Sequence, residues 1–562
     1  MKFLDFPYQR PDFEQATTEL KTLVKQFEEA KNGQEQIEII EKYFEISDEF
    51  SSNVTIASIR NAINTKDQFY ETEMKFYDEN NPILSSFIHK FQKVIVESPF
   101  KADLIAKFGK HYFNLIEVSL KTFDEKIIPL LIEENKLARE YDNLIAAAQI
   151  EFEGKIYNLS QMGPFLESID RKTRHQAQLK MSEYFQANEE KLDQIYDSLV
   201  KTRHQMAQTL GFKNYIELGY YRMGRTEYDA NDVANYREQI KKEVVPAVTK
   251  FNQRKAKRLK IEKLKSYDRI SFLSGNPKPK GTKADLVNAA KLMYSEMSAE
   301  TKEFFEYMLK HELFDLESKA GKRGGGFCTY IPKYEAPFIF ANFNGTLGDV
   351  DVLTHEAGHA FQVYSSRNNY PSQRWPGMDA AEIHSMSMEF FAWPWMEAFF
   401  KEDSRKYYFT HLVGAISFLP YGATVDEFQH RVYENPELTP EARKEIWRSL
   451  EKIYSPEIDY DDDDFLKKGT YWYRQSHIFG APFYYIDYTL AQVCAFQYWV
   501  KDRLDHEKAW KSYYHLSTLG GTQGFVGLLK EAGLDSPFEP GTIKKVLKPL
   551  LEYLDTIDDL NL

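Results

Sequence analysis

The sequence predicts a mainly α-helical protein, and three observations support this fold class. Apolar residues recur every three or four positions over long stretches, as in Leu20, Leu23, Val24 and Phe27, which is the spacing of one buried helix face. Segments with the alternating pattern of strands are few and short. Of the 562 residues, 43% are hydrophobic and 15% are aromatic, which is ample for a large buried core.

The first part of the chain, from about Asp12 to Ala148, is predicted to form successive amphipathic helices. We expect turns at Asn32–Gly33, at Asn80–Asn81–Pro82 and at Ser98–Pro99, because Asn, Gly and Pro interrupt helices. No pattern of catalytic groups occurs here, so we interpret this region as one wall of the molecule. We predict two regions, an N-terminal helical lobe of residues 1–165 and a catalytic region of residues 166–562.

Two short β elements interrupt the predicted helices. Residues 149–157 alternate around Glu153–Gly154, which predicts a small hairpin. Further on, three glycines precede two β-like runs at residues 327–331 and 338–343. We predict an edge strand here, just before the helix described next. It either offers unpaired backbone groups to an extended peptide or merely supports that helix.

The segment Thr354–His359 contains the pattern His-Glu-x-x-His. Histidines four residues apart lie on the same side of a helix, so His355 and His359 can bind one ion. Zn²⁺ takes three protein ligands in catalytic sites and leaves one position for water, and Glu356 is placed to act as a base on that water. The alternative is a purely structural histidine pair. Apolar residues on the opposite helix face favour the metal site, because they anchor the helix from behind.

A second predicted helix, residues 377–390, carries three carboxylates at helical spacing, Asp379, Glu382 and Glu389, among Met, Ala and Phe residues. One of them would complete the metal site. The others would accept hydrogen bonds from the ligating histidines or orient neighbouring groups. The alternative is a solvated acidic stripe. His384 projects away from Glu382, so we interpret it as a packing or supporting residue and not as a ligand.

Residues 471–488 contain many tyrosines around His477. Tyrosine hydroxyls and histidine can donate hydrogen bonds to the oxyanion that forms when water attacks a peptide carbonyl. The alternative is that these aromatic residues only pack against each other.

These motifs resemble those of the thimet oligopeptidase and oligoendopeptidase F family of zinc metallopeptidases, and most closely the oligoendopeptidase F branch. The family pattern HExxH is met by residues 355–359, and its downstream DxxExxS helix by Asp379, Glu382 and Ser385. Further matches lie at residues 210–215, at residues 426–429 and in the tyrosine-rich segment.

The resemblance implies a two-lobed helical metallopeptidase of the zincin type, with a small β element beside the zinc helix and a deep substrate groove or channel. It implies that His355, His359 and Glu382 bind one Zn²⁺ per chain. The implied activity is that of an endopeptidase that hydrolyses internal bonds of short unstructured peptides by Glu356-assisted attack of zinc-bound water. A zinc exopeptidase of the carboxypeptidase kind is the alternative, followed by a non-catalytic helical scaffold.

The same resemblance implies His477, Tyr484, Tyr485 and Tyr488 as catalytic candidates. The spacing departs from the thimet oligopeptidase pattern, because counting back from Tyr488 places the family's histidine one residue from His477 and its middle tyrosine near Ala481. We rank Tyr488 first as the oxyanion donor, followed by His477 and Tyr485.

The net charge of −13 disfavours a nucleic-acid or anionic-membrane partner, because binding to phosphates needs a basic face. Only two cysteines occur, Cys328 and Cys494, and the N-terminal segment lacks the apolar run of a secretory signal. We therefore expect a cytoplasmic protein, and the resemblance implies short peptides as its partners. We expect a monomer and leave an oligomer open.

Overall fold

The computed structural model describes residues 1–562 and contains 26 α-helices and two small sheets. The predicted mainly α fold class is confirmed. No helix combines the length and the apolar character that crossing a membrane requires.

Six helices form the N-terminal part of the chain, and the first three of them have a polar side-chain cap at the start. In the first, Asp12 accepts a hydrogen bond from the backbone of Gln15, and Leu20, Leu23 and Phe27 are buried on one side. These helices are α1 (Phe13–Glu29), α2 (Gly33–Ile63), α3 (Gln68–Val96), α4 (Lys101–Phe108), α5 (Lys110–Leu120) and α6 (Ile128–Ala146).

The turns predicted at Asn32–Gly33 and Ser98–Pro99 are confirmed, but the turn predicted at Asn80–Asn81–Pro82 is wrong. Helix α3 continues through Pro82. A proline inside a helix leaves the carbonyl four residues earlier without its N–H partner. That carbonyl belongs to Asp78, and it accepts a hydrogen bond of 3.2 Å from the side-chain amide of Asn135 on α6. A tertiary contact therefore replaces the missing helical bond.

The predicted hairpin is confirmed as β1 (Ile150–Phe152) paired antiparallel with β2 (Lys155–Tyr157). Both turn residues, Glu153 and Gly154, have positive φ, as a two-residue hairpin turn requires. Eight helices follow the hairpin: α7 (Gly163–Leu166), α8 (Arg171–Ala187), α9 (Glu189–Thr209), α10 (Tyr215–Arg222), α11 (Ala230–Gln239), α12 (Val245–Arg258), α13 (Lys283–Met297) and α14 (Ala299–Lys310).

A three-stranded sheet precedes the helix with the two histidines. Its strands are β3 (Phe314–Glu317), β4 (Phe327–Ile331) and β5 (Ala336–Phe343), in the order β3-β5-β4. The strand directly before the helix, β5, is therefore central, which corrects the prediction of an edge strand at that position. The free edge on the other side of β5 belongs to β4, which pairs antiparallel with β5 alone. Strand β3 was not predicted, because its apolar–polar alternation spans only four residues directly after a predicted helical stretch.

The remaining helices form the C-terminal half. They are α15 (Gly348–Ser365), α16 (Pro371–Arg374), α17 (Met378–Phe391), α18 (Met396–Phe400), α19 (Ser404–Glu434), α20 (Pro440–Tyr454), α21 (Asp464–Lys467), α22 (Ser476–Gly480), α23 (Tyr485–Leu504), α24 (His506–Leu519), α25 (Phe525–Ala532) and α26 (Thr542–Asp555).

The core is unequally divided between the two parts of the chain. A separate apolar cluster joins α1 to α5, and a much larger one joins α6 and α9 with β5, α15, α17, α19 and α23. The N-terminal helices thus have a core of their own, while α6 and the C-terminal end of α2 belong to the core of the C-terminal half. The division at residue 165 stays a prediction.

Helices α15 and α17 approach each other at Gly358 until their backbones touch. A Cβ atom placed on Gly358 would lie 2.6 Å from the carbonyl oxygen of His384 and 2.6 Å from the Cα of Ser385. Both obstacles are backbone or Cα atoms of α17, so no side chain can swing away to make room. Only glycine permits this spacing of the two helices.

We predict that Gly358→Ala lowers the free energy of unfolding by about 3 kcal/mol, because the added methyl group must push α17 away from α15. Gly414→Ala is the matched control, since Gly414 is an exposed residue inside α19 with nothing within 4 Å of an added Cβ. The control should be stabilising by less than about 1 kcal/mol, because alanine favours helix. Urea unfolding followed by circular dichroism measures both, and equal effects of the two substitutions would contradict the prediction.

Candidate metal centre and active site

The three side chains predicted as metal ligands converge at the contact between α15 and α17. His355 and His359 lie one turn apart on α15, and the Nε2 atom of each is 3.2 Å from the same carboxylate oxygen, Oε2 of Glu382 on α17. Of the three, His359 and Glu382 are buried and His355 is half-buried. The close approach at Gly358 allows groups from two separate helices to meet in this way.

The donor set and its spacing fit a tetrahedral metal ion. Two imidazole nitrogens and a carboxylate oxygen are ligands that Zn²⁺ accepts in catalytic sites. Atoms separated by 3.2 Å lie on the edge of a tetrahedron whose centre is about 2 Å from each of them, which is the usual bond length for such ligands. The residues present therefore fit the metal that the sequence implies.

Glu382 is held in place by two further hydrogen bonds. The hydroxyl of Ser385, one turn later on α17, donates to Oε2 at 2.8 Å, and the hydroxyl of Tyr484 donates to Oε1. Burial alone would raise the pKa of Glu382, but the facing histidines outweigh it and hold this pKa well below its usual value. The carboxylate is therefore ionised, as a metal ligand must be.

His355 is oriented by a chain of hydrogen bonds that reaches α19. Its Nδ1 atom lies 2.7 Å from Oε1 of Glu389, and the other oxygen of Glu389 lies 2.8 Å from Nε2 of His411. The indole N–H of Trp393 lies 3.1 Å from Nδ1 of His411. Glu389 thus makes the contact predicted for a carboxylate that accepts a hydrogen bond from one of the predicted ligands, and the alternative of a solvated stripe is wrong for it.

The direction of these hydrogen bonds follows from Trp393. An indole N–H can only donate, so Nδ1 of His411 accepts and its Nε2–H donates to Glu389. Glu389 then accepts from Nδ1–H of His355 as well. The remaining nitrogen of His355, Nε2, faces Glu382 and the predicted metal position, and it is the atom that would give up its proton when a cation binds. Glu389 therefore orients the predicted ligand so that Nε2 is the nitrogen available to a cation.

Glu356 lies beside the three ligands without joining them. Its side chain is buried, and Oε2 has no hydrogen-bond partner. Burial raises the pKa of Glu356, and the nearby His355 and His359 offset part of this rise. An unpartnered carboxylate with a raised pKa next to a metal position can accept a proton from a reacting water.

His477 and Tyr488 form a hydrogen-bonded pair next to the metal position. The Nε2 atom of His477 lies 3.2 Å from the hydroxyl of Tyr488, and its Nδ1 lies 2.7 Å from the side-chain nitrogen of Gln475. The oxygen of that amide accepts a hydrogen bond from Tyr421, which fixes its orientation. Burial lowers the pKa of His477 to about 4, so the ring is neutral. Nδ1 accepts, Nε2–H donates to Tyr488, and the proton of Tyr488 is free for another acceptor.

The other two tyrosines have different surroundings. Tyr484 is engaged with Glu382, and Tyr485 has no hydrogen bond and packs against His477 and Tyr421 with ring centroids 5.0 and 5.7 Å apart. Thus all the predicted residues lie around one site, but only Tyr488 and His477 combine a polar contact with access to open space.

Asp379 supports the site from behind α17. It accepts hydrogen bonds from the Tyr228 hydroxyl at 2.8 Å and from the backbone of Ala380, and not from either ligating histidine. Near it, Arg225 binds the backbone oxygen of Phe483 and the carboxylate of Asp487. These contacts tie the tyrosine segment to the start of α17. His384 is buried against Tyr513 and Ser517 and lies outside the ligand group, as predicted.

Two cavities open on either side of the His477–Tyr488 pair. One, of about 880 Å³, is lined by α2 and α6, by the Gly324–Gly326 loop and by β4. The other, of about 980 Å³, is lined by α12, α19 and α26 and by Met386 and Glu389 of α17. Both cavities are lined by Gln475, His477 and Tyr488. The N-terminal helices thus form one wall of the space around the site.

Sequence reasoning missed His411, Trp393 and Gln475. His411 lies beside a long apolar run in α19, and no spacing relates it to residues 355–359 or 377–390. Gln475 precedes His477 by two residues in the tyrosine-rich segment. The density of polar and aromatic residues there was the only signal that could have identified it.

Comparisons with known proteins agree with this arrangement. The family model for peptidase family M3 matches residues 165–546, and the model for the peptidase M3 N-terminal domain matches residues 3–123. The structure of PZ peptidase A with an inhibitor has 49% sequence identity, a TM-score of 0.99 and full coverage, 100% of each chain.

Two curated relatives match over part of their length. Oligopeptidase PepF of Bacillus subtilis (strain 168) is 23% identical over 423 residues, which cover 70% of this chain and 59% of PepF. The oligoendopeptidase F homolog of Borreliella burgdorferi is 24% identical over 386 residues, which cover 66% of this chain and 63% of the homolog. The matched stretch thus spans less than two thirds of the length of these two relatives.

We predict that Glu389→Gln weakens binding of a divalent metal ion by about 10- to 100-fold. An amide in place of the carboxylate must turn its NH₂ group towards His355 or His411, and both of these face it with donors. Asp379→Asn is the matched control, because Asp379 is also a buried carboxylate on α17 but contacts Tyr228, whose hydroxyl can accept a hydrogen bond. The measurement is titration of metal-free protein with Co²⁺, followed by visible absorption in competition with a chelator. Unchanged affinity in Glu389→Gln would refute the role given to Glu389.

Proposed function

This chain belongs to peptidase family M3, and from that premise we propose that it is a zinc-dependent endopeptidase acting on short unstructured peptides. The observation that carries the proposal is the convergence of His355, His359 and Glu382 at one point, with the unpartnered carboxylate of Glu356 beside it. Three metal ligands and a free base are the groups that hydrolysis of a peptide bond by water requires.

His355, His359 and Glu382 would hold one Zn²⁺ per chain. When bound, Zn²⁺ supplies Lewis acidity, which polarises a carbonyl group and makes water more acidic. Glu356 takes a proton from the attacking water and then delivers it to the departing amine nitrogen. Its raised pKa supports both roles, because a carboxylate whose pKa lies closer to the working pH can both accept a proton and pass it on.

Tyr488 is the proposed donor to the oxyanion that develops on the scissile carbonyl. His477 already donates to its oxygen, so the hydroxyl proton of Tyr488 can be given to the substrate. A hydrogen-bond donor that is fixed before the reaction stabilises the transition state without the cost of reorienting solvent. Gln475 and Tyr421 hold His477 in the required tautomer.

The free edge of β4 is the proposed binding surface for the peptide backbone. Just before this strand, a Cβ placed on Gly326 would lie 3.3 Å from Oε1 of Glu356, so the strand begins next to the proposed base. A peptide paired with this edge would lie extended and would be held mainly through its backbone, which makes binding largely independent of sequence.

Enclosure supports short peptides as the substrate class. The cavity along β4 is also bounded by α2 and α6 of the N-terminal part, so a chain must enter between two walls. Folded proteins cannot present an extended segment in such a space without local unfolding. We further propose that the enzyme works in the cytoplasm without a nucleic-acid partner, which the free cysteines and the net charge of −13 support.

We predict that the wild-type enzyme cleaves peptides that are acetylated at the N-terminus and amidated at the C-terminus. The products of a mixed pool of such peptides, mapped by mass spectrometry with and without a chelator, separate the alternatives. An exopeptidase would leave doubly blocked peptides intact. A non-catalytic scaffold would show neither stoichiometric zinc nor any cleavage.

We predict that Glu356→Gln retains zinc and lowers kcat by about 100- to 10,000-fold, because the base is lost while the ligands stay. Glu382→Ala serves as the opposite case, in which zinc affinity itself falls. Elemental analysis after dialysis and kinetics on one cleaved peptide measure the two properties separately. Retained activity in Glu356→Gln would contradict the proposed role of Glu356 as the base.

We predict that Tyr488→Phe lowers kcat by about 100-fold with little change in KM, because the lost hydrogen bond acts mainly on the transition state. The adjacent Tyr485→Phe is the matched control and should change kcat by less than about threefold, since its hydroxyl has no hydrogen bond. A larger effect of Tyr485→Phe than of Tyr488→Phe would show that Tyr488 is not the oxyanion donor.

A further inference from the structure

The cavity of about 980 Å³ between α12, α19 and α26 contains a group of cations without carboxylate partners. These are Lys250, Lys255 and Arg269, which we call the basic end of the cavity. None of them takes part in an ion pair within the chain, although most other charged groups in the wall do. The whole chain carries a net charge of −13, so a group of cations in one cavity wall departs from its overall charge.

The other charged groups of the cavity wall already have ion-pair or hydrogen-bond partners within the chain. Arg254 and Arg258 both bind the buried carboxylate of Asp559, close to the end of the chain. Lys242 lies 3.9 Å from Glu243. In the same wall, Glu389 is bound by two histidines and Asp351 accepts a hydrogen bond of 2.8 Å from Tyr407. Asp555 lies 3.8 Å from Arg254, so the carboxylates that line this cavity all have other partners. The half-buried carboxylate of Glu167, which is close enough to Arg269 for its pKa to be affected, lies outside this wall.

Lys255 is the most constrained member of the basic end. It is half-buried on the last turn of α12, and its charged neighbours are Arg258, Arg269, Arg174 and one carboxylate, Asp268. Asp268 is itself bound by Arg171 at 2.8 Å and by Arg174 at 2.9 Å. Burial and then Arg258 lower the pKa of Lys255 to about 8, so its charge lacks compensation within the protein.

The basic end faces the same open space as the proposed chemistry. Gln475, His477 and Tyr488 also line this cavity, together with Met386 and Glu389 of α17. A peptide that reaches Tyr488 can therefore continue towards Lys255 without leaving the cavity.

The two cavities beside the site differ in charge. The cavity along β4 holds a single cation without an ion pair, Arg474, and its guanidinium is stacked on Tyr471 at 4.4 Å. Its other charged lining residues, Arg323 and Asp142, pair with each other at 2.8 Å. Unpaired cations are thus concentrated on the α12 side of the site.

We propose that Lys250, Lys255 and Arg269 bind a carboxylate group of the peptide substrate. The inference rests on the proposed peptidase function and adds a direction of substrate binding to it. The part of the peptide on the α12 side of the site must carry a negative charge. Two sources have this chemistry, the free α-carboxylate of the C-terminus and the side chain of Asp or Glu. Binding of the C-terminus would also place cleavage at a limited distance from that end, which would favour short peptides.

One heptapeptide that the wild-type enzyme cleaves, prepared in three forms, tests the proposal. The first form has a free C-terminal carboxylate, the second is amidated, and the third is amidated with Asp as its last residue. We expect KM for the free acid to be about tenfold lower than for the amide, because a charge-assisted contact is lost on amidation. The dissociation constant of each form for Glu356→Gln, measured by calorimetry, should show the same order without turnover.

The double variant K255M/R269M should lose this preference while it still cleaves the amidated peptide at the wild-type rate, which shows that the protein is folded. Lys257→Met is the matched control, because Lys257 is an exposed residue of α12 outside the cavity wall, and it should keep the preference. In the wild type, the preference should also decrease with added salt.

The outcomes separate this inference from the proposed function. Cleavage of all three forms with equal KM, or a preference that survives in the double variant, overturns the carboxylate site and leaves the peptidase in place. Recovery of tight binding by the Asp form identifies a side chain as a sufficient ligand, whereas recovery by the free acid alone assigns the α-carboxylate. Absence of cleavage of any peptide in the pool would instead overturn the proposed function.

Discussion

The contact between α15 and α17 at Gly358 is the constraint on which the site depends. Two ligands come from one helix and the third from the other, and their donor atoms can approach to 3.2 Å only if the helix backbones touch. The missing Cβ of Gly358 is what permits that contact. The same approach places Glu389 under His355, because it lies two turns after Glu382 on the same face of α17. One glycine thus sets both the ligand geometry and its support.

The hydrogen bonds around this contact have a defined direction, which is set by a group that can only donate, the indole N–H of Trp393. Trp393 fixes the proton of His411, and through Glu389 that of His355. The two histidines predicted as metal ligands differ in this respect, since Nδ1 of His359 has no partner. His355 is held by hydrogen bonds, whereas His359 is held by its burial in the packed helix. A site supported in two different ways can be rigid on one side and adapt on the other.

The sequence predicted those parts of the site in which local spacing or family resemblance carries the information. His355 and His359 follow from helix geometry, whereas the role of Glu382 came from the resemblance, because three carboxylates of α17 share one pattern. Contacts between distant segments could not be predicted in this way. Asn135 preserves the helix at Pro82, and His411 completes the support of His355, yet neither has a periodic relation to its partner. The order of the strands is likewise a property of pairing and not of the strand sequences.

Uncompensated charge near a solvent-accessible cavity reduces stability, so its persistence calls for a reason. This chain carries two such groups, Glu356 at the proposed chemistry and Lys255 in the wall of the cavity that Tyr488 also lines. They have opposite sign, and neither forms an ion pair within the chain. A peptide with a carbonyl at one place and a carboxylate at the other would satisfy both at once. The cost in stability would then be the source of selectivity, because a molecule lacking either group would leave one charge unsatisfied.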